Sequence, residues 1–216
     1  MANLTSVEKW FVKNNADVAS STLEGNYKLQ KLLYYSQAMS LAVDNRPLFD
    51  EDFKGWEKGP VVSKAHYDYK VNRIAENNNE KDYEQTLADL SGEEEKVLSI
   101  VNFVYGTESA QDLIDQTHKE KPWNDLKEEA LQRKNPIITK DSIKEFYQPL
   151  KEVYDSYKTQ DLSHMKTRFI NGNCFVFDSK ETDIQSDDEV QLWDFGTQVQ
   201  GDKFFVYKDE SDLIVV

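Results

Sequence analysis

The clearest helical pattern in the chain begins at Asn26. The segment YKLQKLLYYSQAMSLAV places apolar residues at helical spacing, and no Gly or Pro interrupts it. Pro47 disfavours helical backbone at the residue before it and lacks the amide that a continuing helix would use, so this helix is predicted to end near residues 44–46.

Capping signals and prolines predict the remaining helices of the first two-thirds of the chain. Capping-box spacing occurs twice, in Thr5 with Glu8 and in Ser91 with Glu94, each ahead of an apolar series. Further helix starts are predicted at Pro60, Ser109, Pro122 and about Thr139, and Pro149 should bend or divide the last of these helices. The polar, Asn-rich residues 74–86 are predicted to form an exposed loop or an insertion.

The pattern changes after about residue 160. The runs FINGNCFVFD, EVQLWDF, KFFVY and LIVV are rich in aromatic and β-branched residues and are separated by turn residues, which predicts short strands. The fold class is therefore predicted to be mainly α, and α+β overall. A compact multi-helix domain is expected at residues 1–158, followed by a small acidic β-rich extension at residues 159–216.

Charge narrows the classes of partner. The chain carries 40 acidic and 26 basic side chains, a net charge of −14, which argues against nucleic acid as a partner because phosphate is neutralised by Lys and Arg. The acidity suits either a solvated surface or a basic protein partner. No stretch approaches the roughly 20 apolar residues of a membrane span, and no leader pattern is visible, so a cytoplasmic protein is expected.

The sequence offers no recognisable catalytic or metal-binding motif. Cys174 is the single cysteine, so no intramolecular disulfide can form, and its strand-like surroundings predict a small buried hydrophobic residue. The three histidines are dispersed and lack metal-ligand spacing, and no phosphate-binding glycine loop occurs. We therefore expect no enzyme, no cofactor and no metal. An active site built from carboxylates and His118 stays open as an alternative.

The interval from Lys28 to Val62 is the best candidate for a binding function. Trp56, Leu32 and Leu33 are predicted to pack in the core, and Gly59 should provide backbone freedom. Four polar and aromatic side chains in or just after this interval are expected at the rim of an exposed groove. These are Tyr34, Tyr35, Lys58 and His66.

The same interval resembles a known family. The string KLQKLLYYSQAMSLAVDNRPLFDEDFKGWEKGPVV and the later LIDQTHKEKPW resemble, in order, two motifs of the Panacea domain, which is known from SocA-type antitoxins and phage-associated GepA-like proteins. The resemblance covers about residues 4–132. It assigns structural motif positions to Leu29, Leu32, Leu33, Trp56, Gly59, Pro60, Val61, Thr117, Pro122 and Trp123, and His118 joins the candidate partner-binding residues.

The resemblance implies a mostly helical, non-enzymatic antitoxin of a bacterial, plasmid or prophage toxin–antitoxin module. Its partner would be a cognate toxin protein, encoded by an adjacent gene and neutralised by direct contact. The alternative is an adaptor or mobile-element regulatory factor that presents a client protein to a protease or other host machinery. Two roles are open for the extension, namely recognition of a particular toxin and a different, fused function.

Overall fold

The structure is a computed structural model that describes residues 1–71, 80–199, 203–209 and 212–216, and these residues contain twelve helices and seven strands. The helices are α1 (Leu4–Asn14), α2 (Ala16–Ala19), α3 (Leu23–Asp44), α4 (Ser63–Lys70), α5 (Glu80–Ala88), α6 (Gly92–Val104), α7 (Ala110–Lys119), α8 (Lys121–Asn124), α9 (Lys127–Leu131), α10 (Lys140–Phe146), α11 (Leu150–Tyr157) and α12 (Ser186–Gln198). The strands are β1 (Phe53–Trp56), β2 (Gly59–Val61), β3 (Ile137–Ile138), β4 (Met165–Ile170), β5 (Asn173–Asp178), β6 (Lys203–Asp209) and β7 (Asp212–Val215). The predicted class, mainly α and α+β overall, is confirmed.

Helix α3 is the central element of the main core. It packs against α1, α2, α4, α6, α7, α10 and α11, so its apolar residues are buried on all sides and not along one stripe. Asn45 follows it with a φ of 61°, which is the left-handed conformation that commonly ends a helix. The predicted end of this helix, just ahead of Pro47, is confirmed.

One of the two predicted capping boxes is present. The Ser91 backbone N–H donates to Glu94 Oε2 at 2.8 Å, and the Glu94 N–H donates to Ser91 Oγ at 3.3 Å. The prediction at Thr5 and Glu8 is wrong, because Asn3 is the N-cap of α1 and accepts from the Thr5 N–H at 2.9 Å. Both residues therefore lie inside α1.

The segment between α3 and α4 forms a small sheet with strand order β2-β1-β3. Pro60 pairs with Gly55 inside β2, so the prediction that Pro60 starts a helix is wrong, and α4 begins at Ser63. A proline is tolerated there because β2 is an edge strand, where a missing N–H leaves no neighbour unpaired.

Two further predictions concern loops and breaks. Of the predicted loop or insertion at residues 74–86, residues 74–79 lie outside the described residues, whereas residues 80–86 belong to helix α5 and correct the prediction. The break at Pro149 is confirmed, because α10 ends at Phe146 and Pro149 is the N-cap of α11.

The C-terminal sheet has the order β4-β5-β6-β7 and its own small core of Phe175, Phe177, Leu192 and Val206. Strands β5 and β6 are parallel, and parallel neighbours need a long crossover connection. Helix α12 provides it, so the prediction of a strand at EVQLWDF is wrong. Leu192 and Phe195, three residues apart, place one helix face against this core.

The sheet also contacts the helical part of the chain. Leu162 is buried in the main core, Met165 packs against that core, and β4 lies against α2. The division of the chain into residues 1–158 and 159–216 stays a prediction. Across the described ranges, no helix is long and apolar enough to span a bilayer.

Candidate functional site: the junction of two sequence motifs and an adjacent groove

Buried polar side chains of α3 fix the segment that follows it. Gln37 Oε1 accepts from the backbone N–H groups of Leu48 and Phe49 at 2.7 and 3.2 Å, and Gln37 Nε2 donates to the Phe49 carbonyl at 3.1 Å. Because a buried amide must satisfy its hydrogen bonds inside the protein, Gln37 determines where the chain runs after the turn at Pro47.

Three more polar residues of α3 fix the β1–β2 hairpin and the start of α4. Gln30 Oε1 accepts from the Val62 N–H at 3.0 Å, and Lys31 Nζ donates to the Pro60 carbonyl at 3.2 Å. Asn26 Nδ2 donates to the His66 carbonyl at 3.2 Å. These polar residues of α3 are therefore buried and bind backbone groups of the segment that follows the helix.

Gly59 is required at the tip of this hairpin. Its φ is 96°, and a Cβ at this position would lie 2.8 Å from Lys31 Nζ and 2.9 Å from Thr117 Oγ1. The two sequence motifs therefore meet at Gly59, between a lysine of the first and a threonine of the second.

The second motif also contacts the hairpin through its aromatic residues. Trp123 Nε1 donates to the Trp56 carbonyl at 3.0 Å, and the His118 ring stacks on Trp123 at a centroid distance of 3.9 Å. Burial first, and then the charge of Lys31, lower the pKa of His118. His118 is thus a neutral, half-buried ring at the motif junction.

A groove of about 460 Å³ opens on the outer side of the hairpin. Its lining residues are Leu23, Tyr27, Trp56, Glu57, Lys58, Val61, His66, Ala130, Arg133 and Asn135. The rings of Trp56 and His66 meet edge to face at 5.0 Å. Trp56 Nε1 and His66 Nδ1 are shielded from solvent, and neither atom has a hydrogen-bond partner within the described residues.

Charged side chains surround the aromatic floor of the groove. Lys58 is exposed, and Arg133 Nη2 lies 3.7 Å from Glu57 Oε2 in a pair that solvent screens. Burial, together with the charge of Lys70, lowers the pKa of His66, so the imidazole is neutral near pH 7. The groove therefore offers a neutral aromatic floor with cations at its rim.

The structure separates the candidate partner-binding residues. Lys58 and His66 line the groove, whereas His118 stacks on Trp123 and does not line it. Tyr34 and Tyr35 are completely buried, so the expectation that they lie at the rim of an exposed groove is wrong. The reason is that neighbouring helices surround α3 on every side.

Tyr35 instead belongs to a buried cluster around Glu120. Its ring stacks on Tyr105 at 4.0 Å, and its hydroxyl donates to the Glu120 carboxylate at 3.2 Å. Tyr147 donates to the same carboxylate, and burial raises the pKa of Glu120 despite these hydrogen bonds. Sequence reasoning missed Glu120, although it lies inside the second motif string, because nothing local indicates that a carboxylate there is buried.

Most of the expected structural motif residues are buried. These are Leu29, Leu32, Leu33, Gly59, Pro60, Val61, Thr117, Pro122 and Trp123. Trp56 differs, because it is only partly buried and lines the groove. The expectation that it packs in the core is corrected accordingly.

Chemistry of other kinds finds little support among the described side chains. They contain no group of three or more His, Cys, Asp or Glu residues that could hold a metal ion. Cys174 is buried, and burial raises the pKa of its thiol to about 12, which keeps it protonated and unreactive. The absence of catalytic activity, of a cofactor and of a metal stays a prediction.

Comparison with known proteins gives one result. Residues 29–124, somewhat under half of the chain, match the family model described as "Antitoxin SocA-like, Panacea domain". This range includes most of α3, the hairpin, α4 and the stacked His118 and Trp123. No curated protein and no solved structure matches the chain significantly.

Proposed function

We propose that this protein neutralises a cognate toxin by direct protein–protein contact at the groove beside the β1–β2 hairpin, because residues 29–124 match the family model of the antitoxin SocA-like Panacea domain. The toxin is encoded by an adjacent gene of a bacterial or prophage module, and binding takes place in the cytoplasm. No catalysis by the antitoxin is involved.

The observation that carries the proposal is the partly exposed Trp56 ring that lines the groove. Trp56 Nε1 and His66 Nδ1 are shielded from solvent, so the accessible part of this pair is ring surface and not a polar atom. A toxin side chain seated on the Trp56 ring would remove its remaining apolar surface from water, which favours binding.

The composition of the groove also suits a protein partner. Trp, Tyr and Arg are the residue types that most often dominate binding energy at protein interfaces, and Trp56, Tyr27 and Arg133 all line the groove. Lys58 and Arg133 place positive charge at the rim of a chain whose net charge is −14. A toxin surface with a carboxylate and an apolar side chain is complementary to this arrangement.

The proposal is tested by expressing the adjacent open reading frame alone and together with this chain. We expect toxicity that co-expression relieves. A harmless neighbour, or toxicity that co-expression leaves unchanged, would refute the function. The half-life of the toxin with and without this chain separates neutralisation by blocking, in which toxin persists, from an adaptor function, in which toxin is degraded.

Two variants test the groove itself against purified toxin. Trp56→Ala removes a residue of hot-spot type, and a loss of about 2 kcal/mol corresponds to a roughly 30-fold weaker Kd. Lys58→Glu should also weaken toxin binding, and the loss should be larger at low salt than at high salt. The matched controls are Trp193→Ala and Lys81→Glu, whose side chains are exposed elsewhere. Equal losses in the groove variants and the controls would exclude the groove as the contact.

A further inference from the structure

Strands β6 and β7 form a hairpin whose two faces differ. Val206, Leu213 and Val215 face α12 and belong to the C-terminal core or pack against it. The opposite face carries Phe205, Tyr207, Ile214 and Val216, because Tyr207 pairs with Ile214 and Phe205 exchanges two backbone hydrogen bonds with Val216. We call these four residues the docking face.

The docking face is an apolar surface in contact with solvent. The exposed fractions are 45 % for Phe205, 46 % for Tyr207 and 64 % for Val216. On the adjacent strand β5, Val176 lies beside Phe205 on the same face and is fully buried. The same face of the sheet is therefore covered by other parts of the protein at β5 but is open to solvent at β6 and β7.

Strand β7 is also the end strand of its sheet. Antiparallel pairs alternate between hydrogen-bonded and non-hydrogen-bonded positions. Since Phe205 and Val216 exchange both bonds at 2.8 and 2.9 Å, Ile214 also points its backbone groups toward β6. Leu213 and Val215 consequently point their N–H and C=O groups outward, and within the described residues no strand pairs with that edge.

The charges near this edge indicate which kind of partner binds there. Asp209 and Asp212 are directly opposite each other at the end of the hairpin, on the same side as the docking face. Like charges directly opposite in a sheet repel, and a cationic neighbour relieves that repulsion. Residues 161–216 contain 12 acidic and 5 basic side chains, a net charge of −7, so a second copy of this chain would bring a surface of like charge to this edge.

We propose that the outer edge of β7 binds an extended basic segment of the toxin as an added strand. Main-chain hydrogen bonds form to Leu213 and Val215, apolar side chains of the segment cover Ile214 and Val216, and a Lys or Arg lies beside Asp212. The identity of the partner rests on the proposed function. The recognition chemistry of the edge does not, and it can be tested without the toxin.

The test uses the full chain and a capped peptide, Val-Thr-Val-Thr-Lys-Thr-Lys, which follows this pattern in antiparallel orientation. The comparison peptide has Glu in place of both Lys residues. We expect the basic peptide to bind at least about tenfold more tightly, because it gains attraction where the acidic one gains repulsion. Amide NMR signals of Leu213 and Val215 should shift and exchange more slowly with solvent.

Two variants make the result specific. Val215→Pro deletes an outward N–H without removing a β6–β7 hydrogen bond, and it should abolish peptide binding. Asp209→Asn combined with Asp212→Asn should preserve the sheet and remove the preference for the basic peptide. Equal binding of both peptides, shifts confined to the groove at Trp56, or a concentration-dependent dimer of this chain through β7 would each overturn the proposal.

The proposal for the groove and the proposal for the β7 edge can be refuted independently. Trp56→Ala should weaken toxin binding while peptide binding at β7 is unchanged. If the adjacent gene product proves harmless but the basic peptide still binds at Leu213 and Val215, the toxin assignment falls and the edge remains a docking site. If toxin is neutralised but the peptide does not bind, the edge proposal alone is refuted.

Discussion

The buried carboxyl of Glu8 should make the stability of this protein fall as pH rises. Glu8 lies in α1, is completely buried, and has no hydrogen-bond partner for either oxygen within the described residues. Lys64 lies close enough to attract it, but Lys64 Nζ is bound to Asp68 at 3.1 Å and to Thr5 Oγ1 at 3.2 Å. Burial raises the pKa of Glu8 to about 8, and the attraction of Lys64 only partly offsets this effect.

The sign and size of the effect follow from proton linkage. In the unfolded chain Glu8 ionises near its usual pKa of about 4.5, whereas in the folded chain it stays protonated up to about pH 8. The folded state therefore binds more protons across this window, and the free energy of unfolding decreases with rising pH. At about 1.4 kcal/mol per pKa unit, the loss between about pH 5.5 and pH 8 is about 3 kcal/mol.

The variant Glu8→Gln tests this reasoning, because glutamine has the shape of the neutral acid and cannot ionise. Its stability should equal that of wild type near about pH 4.5 and exceed it by about 4 kcal/mol at about pH 8. Urea unfolding, followed by tryptophan fluorescence over this pH range, gives both curves. Glu145→Gln, at an exposed position of α10, is the matched control and should leave the pH dependence unchanged.

A parallel shift of the Glu8→Gln and wild-type curves at every pH would refute the reasoning. That result would mean that Glu8 ionises alike in the folded and unfolded states. An unchanged curve for Glu8→Gln together with a changed curve for Glu145→Gln would assign the pH dependence to surface charge.

Three further predictions concern the motif junction and the buried cluster. Burial lowers the pKa of Lys31 to about 7, so stability should rise by about 2 kcal/mol between about pH 8 and pH 10, and Lys31→Met should abolish this rise in urea unfolding. Gly59→Ala should cost at least about 1–3 kcal/mol, because its φ of 96° is strained for alanine and a Cβ would collide with Lys31, as thermal unfolding would show. Tyr147→Phe removes the donor to buried Glu120 and should cost about 1–3 kcal/mol in the same assay.

Matched controls accompany these variants. Gly92→Ala places a methyl group where no atom lies within 4 Å, so it should not destabilise the protein. Tyr207→Phe removes a hydroxyl from a side chain that is 46 % exposed and should be close to neutral. If Gly59→Ala or Tyr147→Phe proved as harmless as its control, the packing described at the motif junction or around Glu120 would be wrong.

Local sequence patterns predicted several elements correctly because the forces behind them are local. The extent of α3 follows from apolar spacing and from Pro47, the start of α6 from Ser91 and Glu94, and the break before α11 from Pro149. The predictions failed where distant residues compete. Pro60 joins β2 because Lys31 binds its carbonyl and Gln30 binds the N–H of Val62, and residues 186–198 are a helix because β5 and β6 pair in parallel.

The predictions about the candidate site also divide into those that depend on local sequence and those that depend on distant residues. By itself, the sequence determined the class of the fold, the family motifs and the candidacy of Lys58 and His66, since these depend on residue type and order. Only the tertiary structure decided that Tyr34 and Tyr35 are buried, that Trp56 borders a groove and that β7 leaves an edge open. Exposure depends on what packs against a residue, and the neighbours that cover α3 come from segments as much as a hundred residues away along the chain.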